Sequence, residues 1–179
     1  PAALTGTADY VVVNSAGCGA LLKGYGHLLG TADASALAAK VRDVSEVLAE
    51  AELDLAPLPV TVTYHDPCHL RTQGITKEPR AILKALPQVE FVEMEGAGTC
   101  CGLGGTYSVY HYETSKKIGA KKAANIAASG AGLVATDCPG CIMQLQDSIN
   151  HAGQPRTLKA LTRNSIINRT LGETSLRDG

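Results

Sequence analysis

The residues of this chain best equipped for chemistry are its cysteines. Five of the six fall into three groups: Cys68 in "HDPCHL", Cys100 and Cys101 in "GTCCGLGG", and Cys138 and Cys141 in "CPGC". A chain of 179 residues that is 45% hydrophobic can build its core without disulfide staples, so grouped thiols point to metal ligation or redox chemistry. One zinc takes four ligands at tetrahedral corners, and five cysteines overfill it. Neighbouring side chains diverge, so Cys100 and Cys101 reach two metal atoms more easily than one. A multi-iron centre offers those separate atoms, and "GLGG" lets backbone N–H groups come close to its sulfurs. CPGC precedes a helix whose N-terminal amides and dipole favour thiolates. Alone it also fits a strand-to-helix dithiol, a reading that leaves Cys68, Cys100 and Cys101 without work.

Other residues carry weaker signals. His65 and His69 flank Cys68 and are accessory candidates, better suited to capping or supporting the ligands than to replacing a sulfur. Asp66 can order the turn before Pro67. Cys18 reads as a buried thiol, or as a remnant ligand or redox partner near the others. Lys116, Lys117, Lys121 and Lys122 share one predicted helix, first as a solvated face, with partner docking or compensation of an anionic centre as the alternative. "GLGG" lacks the full phosphate-loop or dinucleotide pattern. No Ser–His–Asp set and no paired carboxylates stand at a recognisable spacing, so the isolated chain is not expected to be catalytic alone.

Positioning these groups requires an α/β fold. Apolar, β-branched runs at 9–14, 60–66, 89–94 and 131–137 read as strands. They alternate with helical patterns at 20–29, 34–53, 79–87, 112–130, from about Ile142, and 157–171. Thr31 or Asp33 caps the second helix, and Gly130 ends the fourth. Such alternation predicts a mostly parallel sheet with flanking helices. Parallel strands present their C-terminal ends at one edge, where the three cysteine groups would meet.

Composition narrows the class further. Sixteen Lys plus Arg against 17 Asp plus Glu leave no global field for nucleic acid or anionic lipid. No apolar run approaches the roughly 18 residues that span a bilayer. The first residues lack a secretory-signal pattern, which with the thiols suggests a cytoplasmic protein, or a peripheral one on the inner face of the membrane.

An internal repeat adds to this. "ADYVVVNSAGCGALL" (8–22) aligns without gaps on "AGLVATDCPGCIMQL" (131–145), with five identities in fifteen positions. Cys18 falls on Cys141, and Ser15 takes the place of Cys138. "DLAPLP" (54–59) breaks the pattern between the copies. The division expected is 1–56, the last βα unit of a truncated first domain with a linking helix, and 57–179, a complete second domain.

The spacing Cys68-x31-Cys100-Cys101-x36-Cys138-x2-Cys141 resembles the cysteine-rich CCG domain of the heterodisulfide reductases and their relatives. "YHDPCHL", "CCGLGGTYS" and "CPGCIMQL" are similar to the glycolate oxidase iron–sulfur subunits and the lactate-utilisation iron–sulfur proteins. "NSAGCGALLKGYGHLL" points to the former. The resemblance implies tandem CCG domains about a pseudo-twofold axis. It implies a non-cubane [4Fe–4S] cluster on Cys68, Cys100, Cys101, Cys138 and Cys141, with zinc as the alternative metal. It further implies a flavoprotein partner that carries FAD and oxidises glycolate or lactate. Electrons would pass through an N-terminal ferredoxin-type part, missing here, and this domain to quinone or another carrier. Two alternatives follow: cluster-based thiol–disulfide catalysis, and a zinc-binding scaffold. Without its missing portion, the first domain is expected to expose apolar surface and self-associate.

Overall fold

The computed structural model describes residues 8–52, 54–153 and 159–170. Two parallel sheets form the frame. The smaller pairs β1 (Val11–Val13) with β2 (Val41–Asp43). The larger has the order β4-β3-β5-β6, with β3 Val60–Tyr64, β4 Val89–Phe91, β5 Leu133–Thr136 and β6 Lys159–Thr162, all parallel. Every residue of β5 is buried, as a central parallel strand covered on both faces requires.

In the first unit, α1 (Ala16–Lys23), α2 (Tyr25–Leu29) and α3 (Ala32–Lys40) connect β1 to β2, and α4 (Val44–Leu48) follows. In the second, β3 leads through α5 (Cys68–Arg71) and α6 (Lys77–Ala85) to β4. The chain then runs through α7 (Tyr107–Tyr110) and α8 (Tyr112–Ala128) to β5. Helices α9 (Pro139–His151) and α10 (Arg163–Thr170) bracket β6. The Thr31 hydroxyl caps α3 by accepting from the Ala34 N–H at 3.2 Å. Gly130, beyond the end of α8, has φ 72°, the left-handed turn that closes a helix.

Three segments depart from the sequence expectation. The helix expected over 34–53 is interrupted at Val41–Asp43, which becomes β2. The closing helix expected over 157–171 begins with β6, and only Arg163–Thr170 is helical; positions 157–158 and 171 lie outside the described residues. Both strands are short runs of residues that suit a helix equally well, and only a neighbouring parallel strand decides the state. The third departure is α9, which starts at Pro139 and not near Ile142. Cys138 is therefore its N-cap, and Cys141 lies in its first turn.

The repeat extends past the aligned residues. Val13 pairs with Asp43 as Thr136 pairs with Thr162. Each of these two strand ends then caps the helix that follows, Asp43 by accepting from Ser45 N–H at 2.8 Å, Thr162 from Ser165 N–H at 2.8 Å. The two units are joined closely. The Ala16 N–H at the start of α1 donates to the Asp137 carbonyl at 2.9 Å. Leu48, Leu55 and Leu58 pack on the core formed by Val62, Tyr64, Ile82, Leu83 and Ile166. The 54–59 segment thus lies against the second core.

Between the units sits a buried ion network. Arg163 is fully buried, with Nη2 3.3 Å from Asp137 and 3.9 Å from Asp43. The Tyr64 hydroxyl donates to Asp137 Oδ2 at 2.7 Å. Burial pushes the Asp137 carboxyl up, while Arg163 and Tyr64 pull it back toward ionisation.

Candidate metal centre

Three neighbouring strands deliver the cysteines. β3 and β5 are parallel and adjacent, so the segments after Tyr64 and Thr136 leave the same sheet edge. The chain goes from β3 to β4 on one side and returns past β3 to β5 on the other. The reversal of strand order opens a crevice between the C-terminal ends of β3 and β5. His65-Asp66-Pro67-Cys68 enters it from β3 and Asp137-Cys138 from β5. The segment after β4 comes back to it, tied by the Asp66 N–H donating to the Ala97 carbonyl at 3.2 Å.

All five cysteines line one cavity of about 120 Å³, together with His65, Asp66, His69 and Leu103. That volume is well below the roughly 300–1,000 Å³ of sites for organic ligands and suits a compact inorganic group. Cys101 and Cys141 are buried, Cys138 is half-buried, and Cys68 and Cys100 face the exposed mouth. The Cys101 and Cys141 sulfurs are 3.5 Å apart. A ring nitrogen of His65 lies within 4.8 Å of both, and His65 Nδ1 is buried without a hydrogen-bond partner. His69 is exposed beside Cys68, with Nδ1 3.9 Å from its sulfur. Cys18 does not line the cavity and is exposed, so the expectation of a buried thiol is not met.

The site favours thiolates. Cys138 is lowered to about 6, by the Cys141 thiol and by the Cys141 and Gly140 backbone amides. Cys101 is lowered to about 4, first by Cys141, then by His65 and the Leu103 N–H. Cys141, held between two such anions and desolvated, is pushed up. The Gly102 N–H donates to Cys100 Sγ at 3.3 Å. Soft anionic donors, an orphaned buried imidazole nitrogen and inward-facing N–H groups together fit an iron–sulfur cluster.

The surroundings hold these loops in place. Arg80 grips Asp66 with two bonds of 2.7 and 2.8 Å and Glu93 with two more of 2.7 Å, fixing the turn before Cys68. Leu103 Cδ2 lies where a Cβ on Gly140 would stand, so the CCG loop packs directly on the CPGC turn. Sequence reasoning missed Arg80, whose partners are 13 and 14 residues away, and Lys122, which is buried rather than solvated. Lys116, Lys117 and Lys121 are exposed, as the solvated-face reading expects.

Comparison with known proteins agrees with this geometry. The probable glycolate oxidase iron-sulfur subunit of Bacillus subtilis is 40% identical over 163 residues, 86% of this chain and 37% of that protein. The fumarate reductase (CoM/CoB) of Methanothermobacter marburgensis has a subunit 41% identical over 152 residues, 81% of this chain and 29% of that one. Lactate utilization protein A of Geobacillus kaustophilus is 34% identical over 158 residues, covering 83% and 66% respectively. The chain thus spans about a third of the length of the first two. The model of the CCG cysteine-rich domain matches residues 62–146, the stretch that holds all five cavity cysteines, and that stretch is a domain of this family.

Proposed function

We propose that Cys68, Cys100, Cys101, Cys138 and Cys141 hold an iron–sulfur cluster, of the non-cubane [4Fe–4S] kind, and that the chain carries electrons within an oxidoreductase complex. The observation that carries this reading is the meeting of five sulfurs from three separate loops at one small cavity. The cluster, when bound, accepts and passes on single electrons. The chain's own residues hold it, shield its inner side through Cys101 and Cys141, and leave the Cys68 and Cys100 side open to a partner.

Relatives named as glycolate oxidase and lactate utilisation proteins support a 2-hydroxy acid as the electron source; its oxidation at FAD on a separate flavoprotein subunit is part of the same proposal. Quinone or another carrier then receives the electrons. None of the described helices is long and apolar enough to cross a membrane. We propose that a βα unit of a first CCG domain lies within residues 1–56 and a second CCG domain within 57–179. Ser15 in place of Cys138 leaves the first without the same ligand set.

Anaerobic purification followed by iron and acid-labile sulfide assays and EPR spectroscopy tests the proposal. Iron and sulfide in near-equal amounts and a brown protein are expected. A colourless protein with one tightly held zinc would sink it. That outcome has its own structural basis, since His65, Cys101 and Cys141 already stand within 4.8 Å of one another, the spread of a single-ion site.

A further inference from the structure

Lys122 is 1% exposed in the middle of α8, while Lys116, Lys117 and Lys121 of the same helix face solvent. At 100° per residue, position 122 falls with Ser115, Gly119 and Ile126, the buried stripe of α8. An ammonium in a protein interior is costly unless its hydrogens and its charge are both answered. The hydrogens meet two carbonyls: Nζ donates to Gly96 O at 2.5 Å and to Ala97 O at 3.3 Å. The negative groups that act on it are led by the Cys101 thiolate and include Asp66. Burial draws the amine down, the Cys101 thiolate and Asp66 push it part of the way back, and it stands lowered to about 8.

The same face of α8 holds the rest of the segment leading to the cysteine pair. Ser115 Oγ donates to the Gly102 carbonyl at 2.8 Å, and Asn125 Nδ2 to the Glu95 carbonyl at 2.9 Å. One helix therefore fastens both ends of the 95–102 segment, with Lys122 as its only charged attachment among these bonds.

We propose that Lys122 is a positioning residue of the metal centre: its buried ammonium fixes the segment that presents Cys100 and Cys101 and balances the negative charge gathered there. This rests on the reading of those cysteines as ligands. Were the five cysteines to hold a cluster, a fixed cation nearby would favour its reduced, more negative state, so Lys122 would raise the midpoint potential.

Three variants of the full chain separate the two roles. Lys122→Met removes both bonds and charge, Lys122→Gln keeps a donor without charge, and Lys122→Arg keeps both. In the metal-free chain, hydrogen exchange at 96–102 is expected to quicken at least tenfold in Lys122→Met and to stay near wild type in Lys122→Arg. In the iron-loaded chain at fixed poise, the ratio of oxidised to reduced centre should rise at least tenfold in Lys122→Gln, equivalent to 59 mV for one electron. Unchanged exchange in Lys122→Met overturns the positioning role. An unchanged potential in Lys122→Gln with iron retained overturns the charge role. If Lys122→Met does not fold, exchange in Lys122→Gln against Lys122→Arg decides instead, and protection lost only in Lys122→Gln still upholds an anchoring role that needs the full set of donors. A wild-type chain that takes up no iron defeats the ligand reading, while the exchange comparison still tests the anchoring.

Discussion

Gly102 follows the cysteine pair with φ 104°, a conformation that side chains rarely adopt, and a Cβ there would stand 2.8 Å from the Ser115 carbonyl oxygen. Neither the backbone strain nor the clash with helix backbone can be relieved by turning a side chain. Gly102→Ala is therefore expected to destabilise the chain by more than about 1 kcal/mol and to lower metal content per folded chain. Urea titration and metal analysis of the soluble protein check both. Cys138 carries a second prediction. Its thiol is lowered to about 6 from 9.0, so it is a thiolate at neutral pH and loses that charge as pH falls through about 6. A depressed pKa stabilises the fold above the ordinary thiol value, and the gain disappears on acidification toward about 6. Alkylation of Cys138 in the metal-free chain, followed by peptide mass spectrometry, should stay fast at pH 7 and slow below pH 6. A midpoint near 9 would contradict a thiolate held by the Cys141 thiol and the backbone amides. The types and spacing of the five cysteines were legible in the sequence because ligand chemistry resides in the side chain. The burial of Lys122 was not, because a lysine reads as solvated until its partners, carbonyls far along the chain, are known.

Among the elements, α9 backs the cysteine cavity from inside. Leu145 is fully buried in a cluster with Cys101, Cys141, Val134 and Ile149, one turn beyond the CPGC end of the helix. Leu145→Ala should cost about 2–5 kcal/mol through lost burial and a residual cavity. Because the cavity opens behind Cys141, metal retention against a chelator should weaken too; a stable variant that holds its metal as wild type does would show that α9 is not the support. Strands β1, β3, β4 and β5 were legible from their apolar, β-branched runs. Strands β2 and β6 were not, since "VRD" and "KALT" hold residues that helices accept, and α3 and α10 adjoin them directly. Parallel pairing with β1 and β5 overrides that local preference.

For the whole molecule, the buried Arg163 network is one of the ties between the two units. Arg163→Ala strands the Asp43 and Asp137 carboxylates, one from each unit, in the interior. A loss of about 3–5 kcal/mol is expected on equilibrium unfolding, partly recovered when Asp137→Asn removes one of the stranded charges. No recovery in the double variant would mean that the arginine acts through packing alone. By itself, the order of residues determined that this is a parallel α/β chain with a strand–turn–helix repeat and a thiol-rich site, because hydrophobic period and donor chemistry are local properties. Only the tertiary structure decided that three loops meet at a single cavity beside the β3–β5 crevice. It alone also set His65 against the two inner sulfurs, and sank a lysine and an arginine into the interior. Those outcomes depend on which strands become neighbours, and strand order is a long-range choice that no window of sequence contains.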